Sequence, residues 1–110
     1  KVVDDLIFDE DCLFLNIWSP VNEENKKLLI MFFIHGGSNR SGSGHDQQLR
    51  NGAHLAKQGV ILVTINYRLN IFGFLSHEGL NLQSNNSSGN YAILDHYITC
   101  SNLSIKIFCI

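Results

Sequence analysis

Apolar and polar positions along this chain fall into blocks with different periods. Residues 12–18 (Cys-Leu-Phe-Leu-Asn-Ile-Trp) alternate in part. Leu13, Leu15 and Ile17 lie on one side and Phe14, Asn16 and Trp18 on the other, which predicts a strand. The polar stretch 19–27, with Pro20 near its start, predicts an exposed turn. Residues 28–34 are apolar without a break and stop at His35-Gly36-Gly37, the pattern of a strand buried on both faces. A loop rich in glycine and serine follows over 36–44. Residues 45–58 read as a helix, with Leu49, Ala53 and Ala56 on one face and Gly59 just past its end. Gly52 weakens that helix. Residues 60–65, apolar apart from Thr64, predict a second buried strand that ends at Asn66-Tyr67-Arg68. Residues 71–75 are a short apolar segment, 81–90 are polar and predict a loop, and 91–97 open a helix.

Strand, loop, helix and strand over 28–66 make a βαβ unit, which implies a parallel sheet and a right-handed crossover. Two or three strands cannot cover both faces of their own sheet, so the pattern predicts part of a larger α/β domain. Composition agrees with one folded unit: 110 residues, 45% hydrophobic, with a single proline. The net charge is −2, from 8 basic and 10 acidic side chains. No basic stripe is present, which argues against nucleic acid or an anionic membrane as partner. No apolar run approaches the ~20 residues of a membrane span. Residues 1–10 are acidic and lack the continuous apolar core of a signal peptide, and the chain does not begin with Met. It reads as a mature or internal segment without internal repeats.

The candidate chemistry centres on Gly36 and Gly37. A strand that ends in consecutive glycines leaves backbone N–H groups free to turn towards a ligand, since no Cβ blocks the approach. Lipases and esterases build an oxyanion hole in this way after a His-Gly-Gly. A tight turn after a strand is the other reading of the same residues. Cys12, Cys100 and Cys109 fit no metal pattern, because eight residues separate the last two and no histidine pair stands near. Neither a metal nor a cofactor is expected. Cys12 precedes a strand and has no helix N-terminus or basic neighbour to activate it as a nucleophile. Asn39, Asn85, Asn86 and Asn102 each begin an N-x-Ser sequon, and crowding allows a glycan on only one of Asn85 and Asn86.

Five stretches in order resemble one family. Residues 10–20 (Glu-Asp-Cys-Leu-Phe-Leu-Asn-Ile-Trp-Ser-Pro) are similar to the Glu-Asp-Cys-Leu-Tyr-Leu-Asn-x-x-x-Pro signature of type-B carboxylesterases, the cholinesterase-like branch of the α/β-hydrolases. Residues 33–37 resemble that family's Phe-Ile-His-Gly-Gly-Gly, and 63–69 its strand ending in Asn-Tyr-Arg-Leu. Residues 72–76 match the Phe-Gly-Phe-Leu that follows, and Gly89-Asn90-Tyr91 with Leu94-Asp95 resembles Gly-Asn-x-Gly-Leu-x-Asp-Gln.

The resemblance implies a partial α/β-hydrolase fold over 1–96: a mostly parallel central sheet with an antiparallel hairpin at its start. Residues 97–110 leave the family pattern and form a divergent tail. The implied activity is hydrolysis of a small-molecule carboxylic ester through a serine acyl-enzyme, in a secreted or extracellular protein. Gly36, Gly37 and Ser38 take the oxyanion-hole positions, with Ser38 where the family has a third glycine and Asn39 where it has an aromatic residue. Cys12 would be one half of a structural disulfide whose other half lies upstream. His35 would help to hold the loop, and one of Glu10 and Asp11 would sit in an arginine salt bridge. Arg68 belongs to a structural hydrogen-bond network, and His45, His54, His77 and His96 read as loop or surface residues. No serine of the chain stands in Gly-x-Ser-x-Gly, so the catalytic triad is absent from these residues. A non-catalytic adhesion relative and a non-functional truncated product are the competing readings.

Overall fold

The computed structural model describes residues 9–21, 27–45, 52–82 and 87–103. Three strands form one mixed sheet in the order β1-β3-β2: β1 (Leu15–Trp18), β2 (Leu29–Phe33) and β3 (Val60–Ile65). β2 runs parallel to β3, from Leu29 opposite Val60 to Phe33 opposite Thr64. β1 runs antiparallel to β3, from Leu15 opposite Ile65 to Trp18 opposite Leu62. The antiparallel strand expected at the start of the chain is therefore present. Its partner is the distant β3, and residues 1–8 lie outside the described residues.

β3 is the centre of the fold. Leu62, Val63, Thr64 and Ile65 are all at most 1% exposed. Alternation divides them between two faces. Val63 and Ile65 join Tyr67 and Ala92 in the core, with Phe32, Ile61, Leu69, Phe74 and Leu103 packed around them. On the other face Trp18 stands opposite Leu62, and Gly52 packs directly on the Trp18 ring. Gly52 is the residue that opens the one-turn helix α1 (Ala53–Ala56), so α1 covers the Leu62 face. The helices α2 (Asn70–Phe74), α3 (Glu78–Asn81) and α4 (Tyr91–Asn102) follow β3, and α2 packs against α4.

Several expectations change. The run 28–34 was expected to be buried on both faces, yet Leu29, Ile30 and Met31 are exposed, Leu29 at 77%. The reason is strand order: β3 takes the middle, and β2 is left at an edge with one neighbour among the described residues. The first strand begins at Leu15 rather than Cys12, because the Cys12 N–H and Phe14 N–H turn back to Glu10 and Cys12. The helix expected over 45–58 is described only as α1, and its residues 46–51 lie outside the described residues. Asn81 closes α3 instead of opening a loop. The apolar segment 71–75 is mostly the helix α2. The helix expected to open over 91–97 is α4, which runs on to Asn102.

Candidate functional site

β2 delivers the chain to His35, which is 2% exposed, and then to Gly36, Gly37 and Ser38, which are exposed. The loop turns at once. The N–H groups of Arg40 and Ser41 both donate to the Gly37 carbonyl, at 3.0 and 3.3 Å. Gly37, Ser38, Asn39 and Gly42 all have positive φ, at 121°, 54°, 57° and 117°. Glycine adopts such angles freely, asparagine tolerates them near 57°, and serine pays for them. Ser38 therefore does not merely restrict φ: it already occupies the left-handed region. A Cβ on Gly37 would overlap the Ser41 carbonyl oxygen, so position 37 has no room for a side chain.

The end of β3 holds this loop in place, one residue at a time. Thr64 Oγ1 donates to the Gly44 carbonyl at 2.8 Å, and the Gly44 N–H donates to Asn66 Oδ1 at 2.8 Å. Asn66 Nδ2 reaches the other way to the Cys12 carbonyl at 2.8 Å, and Asn16 Nδ2 donates to Thr64 Oγ1 at 3.1 Å. The Tyr67 hydroxyl donates to the His35 carbonyl at 2.7 Å, and its ring stacks on the His35 imidazole with centroids 4.4 Å apart. The Asn70 N–H donates to the Asn39 carbonyl at 2.7 Å. The segments recognised along the sequence thus meet through the residues around Asn66-Tyr67-Arg68.

Arg68 fixes α4 to the same strand. Its backbone N–H and Nε both donate to Asp95 Oδ2 at 2.9 Å, Nη2 donates to Asp95 Oδ1 at 2.6 Å, and Nη2 also reaches the Tyr91 carbonyl. The guanidinium carbon lies 5.3 Å from the centre of the Tyr91 ring. The hydrogen bonds that Arg68 donates to Asp95 push the Arg68 pKa up, against burial, which pulls it down. Among the described residues this is the arginine ion pair; Glu10 and Asp11 are exposed and take no part in one.

His96 is neither a loop nor a surface residue. It sits on α4, presents its ring edge-on to Tyr67 at 4.5 Å, and buries its Nε2 without a partner among the described residues. Burial lowers its pKa, the charge of Asp95 raises it, and His35 lowers it further. Burial also raises the pKa of Tyr67. Cys12 is exposed with a free thiol. Asn39 and Asn102 are exposed, and Asn85 and Asn86 lie outside the described residues.

The N–H groups of Gly36, Gly37 and Ser38 have no hydrogen-bond acceptor among the described residues. Three successive backbone donors on an anchored loop are thus left without an acceptor among the described residues. The roles of Thr64, Asn66, Tyr67 and Asn70 were not read from the sequence. The signal was present, since four polar or half-polar residues cluster at the end of an apolar strand.

A parallel strand leading into a glycine loop, in a mixed sheet with helices on both faces, defines part of an α/β-hydrolase. The carboxylesterase family matches residues 2–99, and the chain belongs to that family. Fumonisin B1 esterase of Sphingopyxis macrogoltabida is 47% identical over 87 residues, which are 78% of this chain and 16% of that protein. Neuroligin-like protein glit-1 of Caenorhabditis elegans is 38% identical over 89 residues, covering 79% of this chain and 11% of that protein. The solved structure of an esterase from anaerobic Clostridium hathewayi superposes with a TM-score of 0.73 at 36% identity, over 84% of this chain and 19% of the other. The chain thus spans less than a fifth of the length of each.

Proposed function

We propose that this chain supplies the oxyanion-hole loop of a carboxylic ester hydrolase that works through a serine acyl-enzyme. The observation that carries the reading is the row of N–H groups at Gly36, Gly37 and Ser38 without an acceptor among the described residues, held after β2 by the hydrogen bonds of Thr64, Asn66, Tyr67 and Asn70. Preformed donors need no reorganisation as charge develops on the substrate oxygen, which is the source of their catalytic effect. The serine, the histidine that moves its proton and the acid that orients the histidine come from sequence outside these residues. The substrate class is a small-molecule carboxylic ester, and the place of action is extracellular.

A second reading is a non-catalytic binding protein. The likeness to a neuroligin-like relative and the serine at position 38 favour it.

The test is a chimera that places residues 28–70 of this chain, the loop with its anchors, in a carboxylesterase domain with a working triad. Gly37→Val is expected to lower kcat by ~10²-fold or more, the scale of one lost oxyanion donor. Unchanged kcat would return the loop to a plain turn. The 110-residue chain by itself is expected to leave nitrophenyl butyrate intact. Turnover abolished by an organophosphate would overturn that division of labour.

A further inference from the structure

The Gly36 carbonyl oxygen lies 2.9 Å from His35 Nδ1. A carbonyl oxygen only accepts, so Nδ1 carries the proton. The opposite atom, Nε2, is buried and has no partner among the described residues. In a neutral ring with the proton on Nδ1, that atom is a bare acceptor.

The ring has little freedom to leave this position. Tyr67 stacks on it with planes 23° apart and binds the His35 carbonyl through its hydroxyl. Gly42 closes over the bond itself. A Cβ there would overlap both His35 Nδ1 and the Gly36 carbonyl oxygen, and the φ of +117° suits glycine alone.

The Gly36 carbonyl and the Gly37 N–H are two ends of one peptide unit. A donor at the carbonyl end draws electron density towards oxygen and leaves the N–H more positive. Such chained hydrogen bonds strengthen one another by roughly 10–30%. We propose that His35 is a positioning residue that polarises the Gly36–Gly37 peptide, so that the Gly37 N–H meets an oxyanion as a stronger donor. This rests on the reading of the loop as an oxyanion hole. It adds an electronic role for the imidazole to the mechanical one of holding the loop.

Two substitutions in the chimera separate the roles. His35→Phe keeps a flat ring on Tyr67 and removes the N–H. His35→Asn keeps a side-chain N–H near the place of Nδ1 and removes the ring. His35→Phe is expected to lower kcat by about two- to eightfold with KM unchanged, which is the 10–30% strengthening applied to one oxyanion donor. His35→Asn is expected to restore kcat to within about twofold of the parent. The reverse order, equal losses in both variants, or no loss in His35→Phe overturns the proposal.

Gly37→Val in the same host keeps the two claims apart. If it lowers kcat while His35→Phe does not, the hole stands and the polarising role falls. If Gly37→Val has no effect, the hole itself falls. Nitrogen NMR of the uniformly nitrogen-labelled 110-residue chain, in a Met31→Lys background, gives a readout free of catalysis. A protonated Nδ1 and a bare Nε2 are expected for His35, with the Gly37 amide proton moving upfield in His35→Phe. A ring protonated on Nε2 instead, or an unmoved Gly37 amide, overturns the proposal.

Discussion

The C-terminal end of β3 and the outer edge of β2 belong to one sheet and meet their needs in opposite ways. At the end of β3, Asn66, Tyr67 and Arg68 each bind a different segment: the loop at Gly44, the His35 carbonyl, and Asp95 of α4. On β2, Leu29, Ile30 and Met31 face solvent, and so do Ile93, Leu94, Tyr97 and Ile98 of α4. A polar group is satisfied by one partner at the right distance. An apolar strand or helix is satisfied only by area, and these residues do not supply enough of it. Asn66, Tyr67 and Arg68 at the end of β3 therefore find their polar partners, while the apolar outer surfaces are not covered by the described residues.

The largest expected effect lies on the open side. An exposed apolar edge strand templates pairing with another chain. The 110-residue chain is expected to self-associate, and Met31→Lys to shift it towards monomer in gel filtration. A monomeric profile with a cooperative thermal transition in the unsubstituted chain would erase the contrast between the two regions.

Next comes the joint between β3 and α4. Asp95→Ala removes the partner of a guanidinium whose side chain is 34% exposed, while Asp95 itself is 10% exposed. Breaking a fully buried pair costs ~3–5 kcal/mol, and the exposure of Arg68 reduces this to about 2 kcal/mol. Asp95→Asn keeps one acceptor and is expected to cost less. Denaturant unfolding in a Met31→Lys background measures both. Equal midpoints for the parent and Asp95→Ala would show that the joint is ornamental.

A smaller effect follows from His96. Its pKa in the folded chain lies below the ordinary histidine value, chiefly through burial. Above ~6.5 both folded and unfolded chains hold it neutral, so its contribution is constant. As pH falls below that value the unfolded chain takes up a proton first, and stability declines until the folded pKa is passed. The thermal midpoint is therefore expected to fall between pH 7.5 and pH 5.5. His96→Gln should flatten that part of the profile, and an unaltered slope would place the titration elsewhere.

The smallest effect is at Ser38. Its φ of 54° is strained for serine. Ser38→Gly relieves ~1 kcal/mol of strain, less the entropy that glycine brings to the unfolded chain. A modest gain in stability is expected, together with a higher kcat in the chimera and less change in KM. A loss of kcat would mean that the serine side chain takes part in the site.

Local pattern was enough to reveal much of this protein. The apolar run 60–65, with Thr64 as its one polar residue, was legible as a strand and became the central one. The glycines at 36 and 37 marked the loop, and at Gly37 the positive φ and the lack of room for a Cβ are properties of a single residue. The opening of a helix at Tyr91 was legible from the loop residues before it. Strand order was not legible. Runs 28–34 and 60–65 look alike in hydrophobicity, and only the pairing of β1 with β3 put one at the centre and the other at the edge. The same holds for His96, whose burial depends on Tyr67, 29 positions away in the sequence. The hydrogen bonds from Thr64, Asn66 and Tyr67 to the loop also needed the folded chain, since each joins residues 20 or more positions apart. Periodicity reports which residues avoid water; it carries no information about which distant backbone group a hydroxyl or amide will find, and that is a matter of tertiary geometry.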